Sequence, residues 1–400
     1  MRNRRSSLDR VHISIYQLLT ICGCLFLIGS AEVIAGPMMY VMGRHFGASS
    51  SAIAYLSAAY GLTYGSVALV AGPLSDHFGR KWPLVAGLIG FGACNAAIPQ
   101  SPVLSVAISL SALCGLCAAI IQPNALSLIG DIAGGEEAGR RVGQAFVGLM
   151  AAFVVTPLGA GWAAKNGDWE SAYYLLSALA SGAVFFVALL FDPDRRTSAE
   201  RLPFLALVSG ALRVQQARLS LSISYLWLGW MAGFGAVVAG VAARKLDLRS
   251  TDVALVVAYW GAAIIVGNLS GHRLNRCLHH VALPFGAGIA ALGVLAFALP
   301  VSSLVALGAV GTPWALGYGC AGPLHHARLN GLSVRFRGTI NSLHASLLNF
   351  GIFSVSLLFG ATAPTAPMSL FCGAVALVGF LGALLSLAVP GSRFSAPRAE

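Results

Sequence analysis

Of the 14 acidic residues in the chain, one, Glu32, stands deep inside an apolar run, within Gly29-Ser30-Ala31-Glu32-Val33-Ile34-Ala35-Gly36-Pro37. A charged side chain at the centre of a membrane helix costs about 2.5–3.5 kcal/mol on insertion scales. No basic residue lies in any apolar run to neutralise it, so taking up a proton is its simplest response. Such a carboxyl group can bind a proton and a solute in alternation. The plainer alternative is a protonated Glu that hydrogen-bonds between helices for structure alone. A second set of candidate residues lies in Gly72-Pro73-Leu74-Ser75-Asp76-His77-Phe78-Gly79-Arg80-Lys81. Gly72 lets helices approach closely. Asp76 can cap backbone N–H groups, pair with Arg80, or face the positive end of another helix. These residue types suit a gate held in one state and released in another, with a stop-transfer anchor as the alternative.

The remaining chemistry-bearing residues are sparse. His344 falls within an apolar run, as a packing residue or a proton relay. His325 and His326 precede Arg328 at the end of a run and are expected at the membrane interface. No three adjacent ligands suggest a metal site, and no cofactor is expected. Cys22-x-Cys24 and Cys114-x-x-Cys117 lie in apolar runs and are expected to be small packing residues. No nucleophile–base pair stands out, which argues against an enzyme.

These residues must be positioned by an unusual chain. Among 400 residues, 57% are hydrophobic and 10% charged, against roughly 25% charged in soluble domains. The mean hydropathy is +0.78. That composition excludes a soluble enzyme, a secreted disulfide scaffold and a disordered chain, and it predicts an all-α membrane protein. A span needs about 20 apolar residues, and the runs fall at 14–42, 50–74, 83–100, 102–130, 142–163, 171–191, 220–243, 252–271, 280–299, 301–323, 339–361 and 367–389. Twelve transmembrane helices are therefore expected. With the N-terminus placed in the cytoplasm, 20 of the 25 basic residues fall in cytoplasmic segments and 5 outside. The positive-inside rule thus puts both termini in the cytoplasm. The +11 net charge is then a topological signal and a contact with anionic lipid, not a nucleic-acid surface.

The chain also divides at its midpoint. Residues 1–191 are expected to form one six-helix bundle and 220–400 a second. The linker, 192–219, carries an amphipathic helix over 203–219 with Arg213, Gln215, Gln216 and Arg218. The stretch Gly271-His272-Arg273-Leu274-Asn275-Arg276 repeats the Gly72–Arg80 pattern half a chain later, with Asn275 where Asp76 stands. Equivalent loops in two halves are the mark of a repeat-built transporter.

Gly72-x-Leu74-x-Asp76-x-x-Gly79-Arg80-Lys81 resembles the signature loop of the major facilitator superfamily, in its usual place between spans 2 and 3. The Glu32 segment, Thr156-Pro157-Leu158-Gly159 with Asp168-Trp169, and Gly267-Asn268 resemble the sugar- and nucleoside-efflux branch of its drug/proton antiporters. The sequence departs from that group at Ser111, where an Arg is usual, and at Thr156, where a Gly is usual. The resemblance implies two pseudo-symmetric six-helix bundles that rock about a midplane site. It implies an Asp76 partner near Gly338 and Thr339, and a cavity lined by spans 1, 4, 7 and 10. Substrate-contact candidates there are Gln122, Asn124, Tyr225, Trp227, Trp230, Trp314 and Tyr318. Trp and Tyr can stack on a ligand or simply anchor at an interface. The expected function is proton-coupled efflux of a small polar or amphipathic compound, namely a sugar, nucleoside, drug or metabolite such as a siderophore. The proton gradient would supply the energy, at the inner membrane, in a monomer. Uptake symport is the nearest alternative; a membrane-embedded enzyme or a sensor is more remote.

Overall fold

A chain this apolar must satisfy its own backbone within the membrane, which leaves helices as the available element. The computed structural model of the protein describes residues 13–133, 135–192, 204–333 and 336–389; the side chains of 71–78, 135–136 and 204–205 lie outside that description. Span 1 comprises α1 (Ile15–Val33) and α2 (Met39–His45). Spans 2 to 6 are α3 (Ala54–Phe78), α4 (Lys81–Ala97), α5 (Leu104–Ile132), α6 (Gly135–Lys165) and α7 (Glu170–Leu190). A short helix, α8 (Phe204–Arg213), precedes span 7, which runs from α9 (Gln215–Ile223) through a π-helical stretch, Ser224–Gly229, into α10 (Trp230–Leu246). Spans 8 to 12 are α11 (Ser250–Leu278), α12 (Ala282–Ala296), α13 (Leu304–Gly331), α14 (Arg337–Thr362) and α15 (Met368–Leu385). Among the described residues, 11 helical stretches are long and apolar enough to cross a membrane, and one of them, Ser250–Ala296, holds both spans 8 and 9.

Several helices outrun the apolar stretches that announce them. The two basic segments expected as loops are largely helical, because α3 continues to Phe78 and α11 to Leu278. Polar side chains at a helix end can reach water while the backbone stays bonded, so the helix need not stop where the hydrocarbon does. Each stops instead at a left-handed residue: Gly79 at φ 82° and His279 at φ 50°. Span 5 likewise starts at Gly135 rather than 142, and Glu137 pairs with Arg141 at 3.3 Å across one turn. The amphipathic helix expected over 203–219 breaks at Val214, and its second part forms the first turns of span 7.

Basic residues finish the helices at both faces. On the face that carries the first residues of span 1, Gln17 Nε2 donates to Leu190 O at 2.9 Å. The buried Lys81 ammonium donates there to Ala188 O at 2.8 Å and Phe191 O at 2.5 Å. A cation on the last carbonyls of span 6 sits at the negative end of that helix. On the far face Lys245 donates to Leu299 O at 2.8 Å, and Arg244 donates to Ala363 O.

The spans form two pseudo-symmetric six-helix bundles that meet along two seams. Span 2 lies against span 11, where the Ser346 hydroxyl donates to Gly65 O across the seam. A Cβ on Gly61 would stand 2.8 Å from Asn349 O and 3.0 Å from Phe353 N, so the two backbones touch because glycine is there. Span 5 lies against span 8, where a Cβ on Gly161 would stand 2.9 Å from Ser250 O. Toward the far face, Gly36 of span 1 packs on Ala239 of span 7. Gly61→Leu should therefore force span 2 off span 11 and cost about 1–3 kcal/mol or more, as overpacking does. Thermal unfolding of the purified protein checks this against Gly182→Leu, whose Cβ meets nothing within 4 Å and which should leave the unfolding temperature unchanged.

Candidate functional site

Span 1 is broken where its chemistry lies. Glu32 is the last residue but one of α1, and the chain then passes through a tight turn of helix at Gly36–Met38 before resuming as α2. Pro37 removes a backbone donor, and Gly36 allows the close approach to Ala239. Glu32 thus stands near the middle of Ile15–His45, half-buried. Two contacts with span 5 fix its level. The hydroxyls of Ser30 and Thr156 lie 2.7 Å apart and are buried, and Gly29 packs against Leu149 and Ala152. Thr156, one of the two departures from the resembling group, is therefore used to hold the segment that carries Glu32.

Three tyrosine hydroxyls lie within Coulombic reach of the Glu32 carboxyl group: Tyr60 and Tyr64 of span 2, and Tyr318 of span 10. The Tyr60 and Tyr64 rings lie 6.0 Å apart. Tyr64 donates to Gln122 Oε1 of span 4. The Tyr60 hydroxyl is buried with no partner, a state that costs about 1–3 kcal/mol unless a ligand or water answers it. Asn124, also in span 4, spends its amide N–H on Ile120 O at 2.7 Å and leaves Oδ1 buried and unpartnered. The other departure, Ser111, donates to Leu56 O at 2.8 Å, and Thr63 donates to Ala112 O at 2.5 Å. Small residues here seat span 4 against span 2, which brings Gln122 to Tyr64.

The structure thus brings together Glu32, Gln122 and Tyr318 from the sequence-based candidates, and adds Tyr60 and Tyr64. The two added tyrosines lie on span 2, outside the spans the resemblance assigns to the cavity. Their i,i+4 spacing near the middle of an apolar run is the signal that could have found them, since interfacial tyrosines belong at run ends.

Trp227 and Trp314 take a different place. Their exposures are 0% and 2%, and their indole N–H groups are spent on Ala287 O at 3.2 Å and Met231 O at 3.4 Å. Trp314 stacks on Tyr318 with centroids 6.4 Å apart and planes at 15°, and Trp227 lies 6.3 Å from the same ring. Both belong to the packed interior of the C-terminal bundle and brace Tyr318 from behind. Tyr225 shares a hydrogen bond with Ser354 at 2.9 Å, and the Trp230 indole N–H is buried without a partner.

In the proposed gating segment, the side chains of Gly72 and Asp76 lie outside the described residues, while Gly79 makes the turn. Arg80 pairs with Asp131 at the end of span 4 at 3.2 Å, and Lys81 caps span 6 as above. Both basic residues therefore tie the N-terminal bundle to itself. His325 departs from its expected interfacial place: it is 1% exposed, because span 10 continues as helix to Gly331 and turns His325 inward.

A family model described as Major Facilitator Superfamily matches residues 21–356. Multidrug resistance protein 1 of Bacillus subtilis (strain 168) is 22% identical over 362 residues, covering 88% of this chain and 91% of that protein. Multidrug transporter protein MdtP of the same organism is 28% identical over 185 residues, which span 45% of this chain and only 34% of MdtP. The fold is similar to that of a POT family transporter solved in complex with 5-aminolevulinic acid, with a TM-score of 0.74 and 10% identity over 93% of this chain and 94% of that one.

The bracing role of the two tryptophans gives a direct expectation. Trp314→Ala should cost about 3–5 kcal/mol, the range for emptying a buried aromatic site, whereas Gln122→Ala, which strips the buried Tyr64 hydroxyl of its acceptor, should cost the smaller penalty of about 1–3 kcal/mol. Thermal unfolding of the purified variants distinguishes them, and an undiminished Trp314→Ala would remove that residue from the packed core.

Proposed function

This chain belongs to the Major Facilitator Superfamily, and on that footing we propose that it exports a small polar or amphipathic compound in exchange for protons. It is a multi-pass membrane transporter. The observation that supports the proton-exchange part of this reading is the junction at Glu32, where a carboxyl group of the N-terminal bundle lies within electrostatic range of Tyr318 of the C-terminal one and of Tyr60 and Tyr64. Four groups that can hydrogen-bond, three of them within electrostatic range of the fourth, a carboxyl group near mid-membrane, and drawn from two bodies that meet along glycine-lined seams, suit a solute site that is reshaped when those bodies rock.

In this reading Glu32 is protonated when no substrate is bound, since no described residue of the bundle offers it a fixed cation. A solute with a hydroxyl or amine group displaces the proton and is held by Glu32, Tyr318, the unpartnered Tyr60 hydroxyl and the unpartnered Oδ1 of Asn124. Gln122 is engaged by Tyr64 and becomes available if that bond opens. The seam of spans 2 and 11 and the contact of Gly36 with Ala239 would part and close in turn as the site is offered to the two sides. Multidrug-named relatives favour outward transport of drugs or metabolites, and the basic-residue asymmetry favours a bacterial-type inner membrane with both termini in the cytoplasm.

Glu32→Gln keeps the size and hydrogen-bonding ability of the side chain and removes its titration. Cells overproducing the wild-type protein should enrich at least one metabolite in their medium, and cells with Glu32→Gln should lose that enrichment while holding equal amounts of folded protein in the membrane. Undiminished export by the variant would overturn the coupling role.

A further inference from the structure

Away from the Glu32 junction, three histidines and a serine from spans 7, 10 and 11 form one connected group. Ser224 Oγ lies 2.9 Å from His325 Nε2, 2.8 Å from His344 Nδ1 and 3.0 Å from Ser220 O, to which it donates. His344 Nε2 lies 3.3 Å from His326 Nε2. Ser224, His325 and His344 are buried, whereas His326 is exposed.

Hydrogen-bond accounting fixes the proton positions. The single hydroxyl hydrogen of Ser224 goes to Ser220 O, so both ring nitrogens that face Oγ must donate to it. His344 then carries its proton on Nδ1 and turns a lone pair on Nε2 toward His326, whose Nε2 supplies the N–H between them. The three rings are neutral, and each facing pair holds one hydrogen. A proton arriving at the exposed ring of His326 can bind its Nδ1. The Nε2 hydrogen of His326 can then pass to His344 Nε2, so that one proton enters and one positive charge moves from the exposed ring to the buried one.

We propose that His326 and His344 form a second proton-binding site, in the C-terminal bundle and separate from Glu32, with Ser224 and His325 as positioning residues that hold His344 in the receptive tautomer. The site lies where it can be felt by the seam: Ser346, two residues beyond His344, is the residue that bonds Gly65 of span 2. It also abuts the π-helical stretch of span 7, which begins at Ser224, and such stretches gather at functional sites. Among the described residues, the titratable group beside the pair is His325 of span 10, which Arg328 of the same span neighbours in turn; span 7 presents Ser220 and Ser224.

The proposal extends the proton-coupled reading to a second site, and the two can fail separately. The test is nitrogen NMR of the full chain, labelled with 15N-histidine and reconstituted in bilayers, followed on acidification. His326 and His344 should shift together, and His326→Gln, whose amide can still donate to His344, should abolish the His344 shift. Ser224→Ala should uncouple the pair by freeing the His344 tautomer, and Glu32→Gln should leave both shifts in place. A His344 that shifts unchanged in His326→Gln, or that never takes up a proton, would overturn the shared site. Loss of both shifts in Glu32→Gln would overturn its independence.

Discussion

A carboxyl group with no fixed counter-charge among the described residues, set midway along an apolar bundle, is the constraint around which this molecule is arranged. An ionised Glu32 is costly until something answers it, and among the described residues no lysine or arginine stands at that depth. The local structure keeps the group there all the same. Span 1 breaks just after it at Gly36 and Pro37, and the Ser30–Thr156 hydroxyl pair pins the preceding turn to span 5. Thr156 has a use that a glycine could not supply, and this explains one departure from the related pattern. On the proposed function, the tension between a costly charge and a rigid placement would be resolved by a proton in one state and a solute in another.

Motion requires that the bundles be firm inside and separable between. Inside each half the helix ends are clamped, by Lys81 on the carbonyls of span 6 and by Lys245 and Arg244 on far-face carbonyls. Within the C-terminal half, the buried tryptophans brace Tyr318. Between the halves the contacts are mostly glycine against backbone, with a hydroxyl bond at Ser346. Close packing of small residues is how membrane helices adhere without a hydrophobic driving force. Such contacts hold well at one distance and are lost over a small displacement, which suits seams that must open and close.

How far the sequence foretells this depends on the kind of signal. Spans are legible because the bilayer imposes a length and a polarity. Helix ends are less legible, since α3 and α11 continue as helix through residues such as His77 and Arg273 that a hydropathy profile assigns to water. Glu32 is visible from its rarity alone. Tyr60 and Tyr64 are not, because their role depends on span 4 approaching span 2 over Ser111 and Gly115, a tertiary fact. The inward turn of His325 is hidden for the same reason. Trp227 and Trp314 show the converse: a residue type suited to a ligand is, in place, spent on neighbouring carbonyls.

The central claim is that Glu32 carries the exchanged proton, and infrared difference spectroscopy of the reconstituted protein addresses it without a known substrate. At neutral pH the wild-type protein should show the carbonyl stretch of a protonated carboxylic acid, which alkaline titration converts to carboxylate bands and which Glu32→Gln lacks throughout. A wild-type spectrum with only carboxylate bands at neutral pH, or a protonated-acid band that persists in Glu32→Gln, would contradict the account.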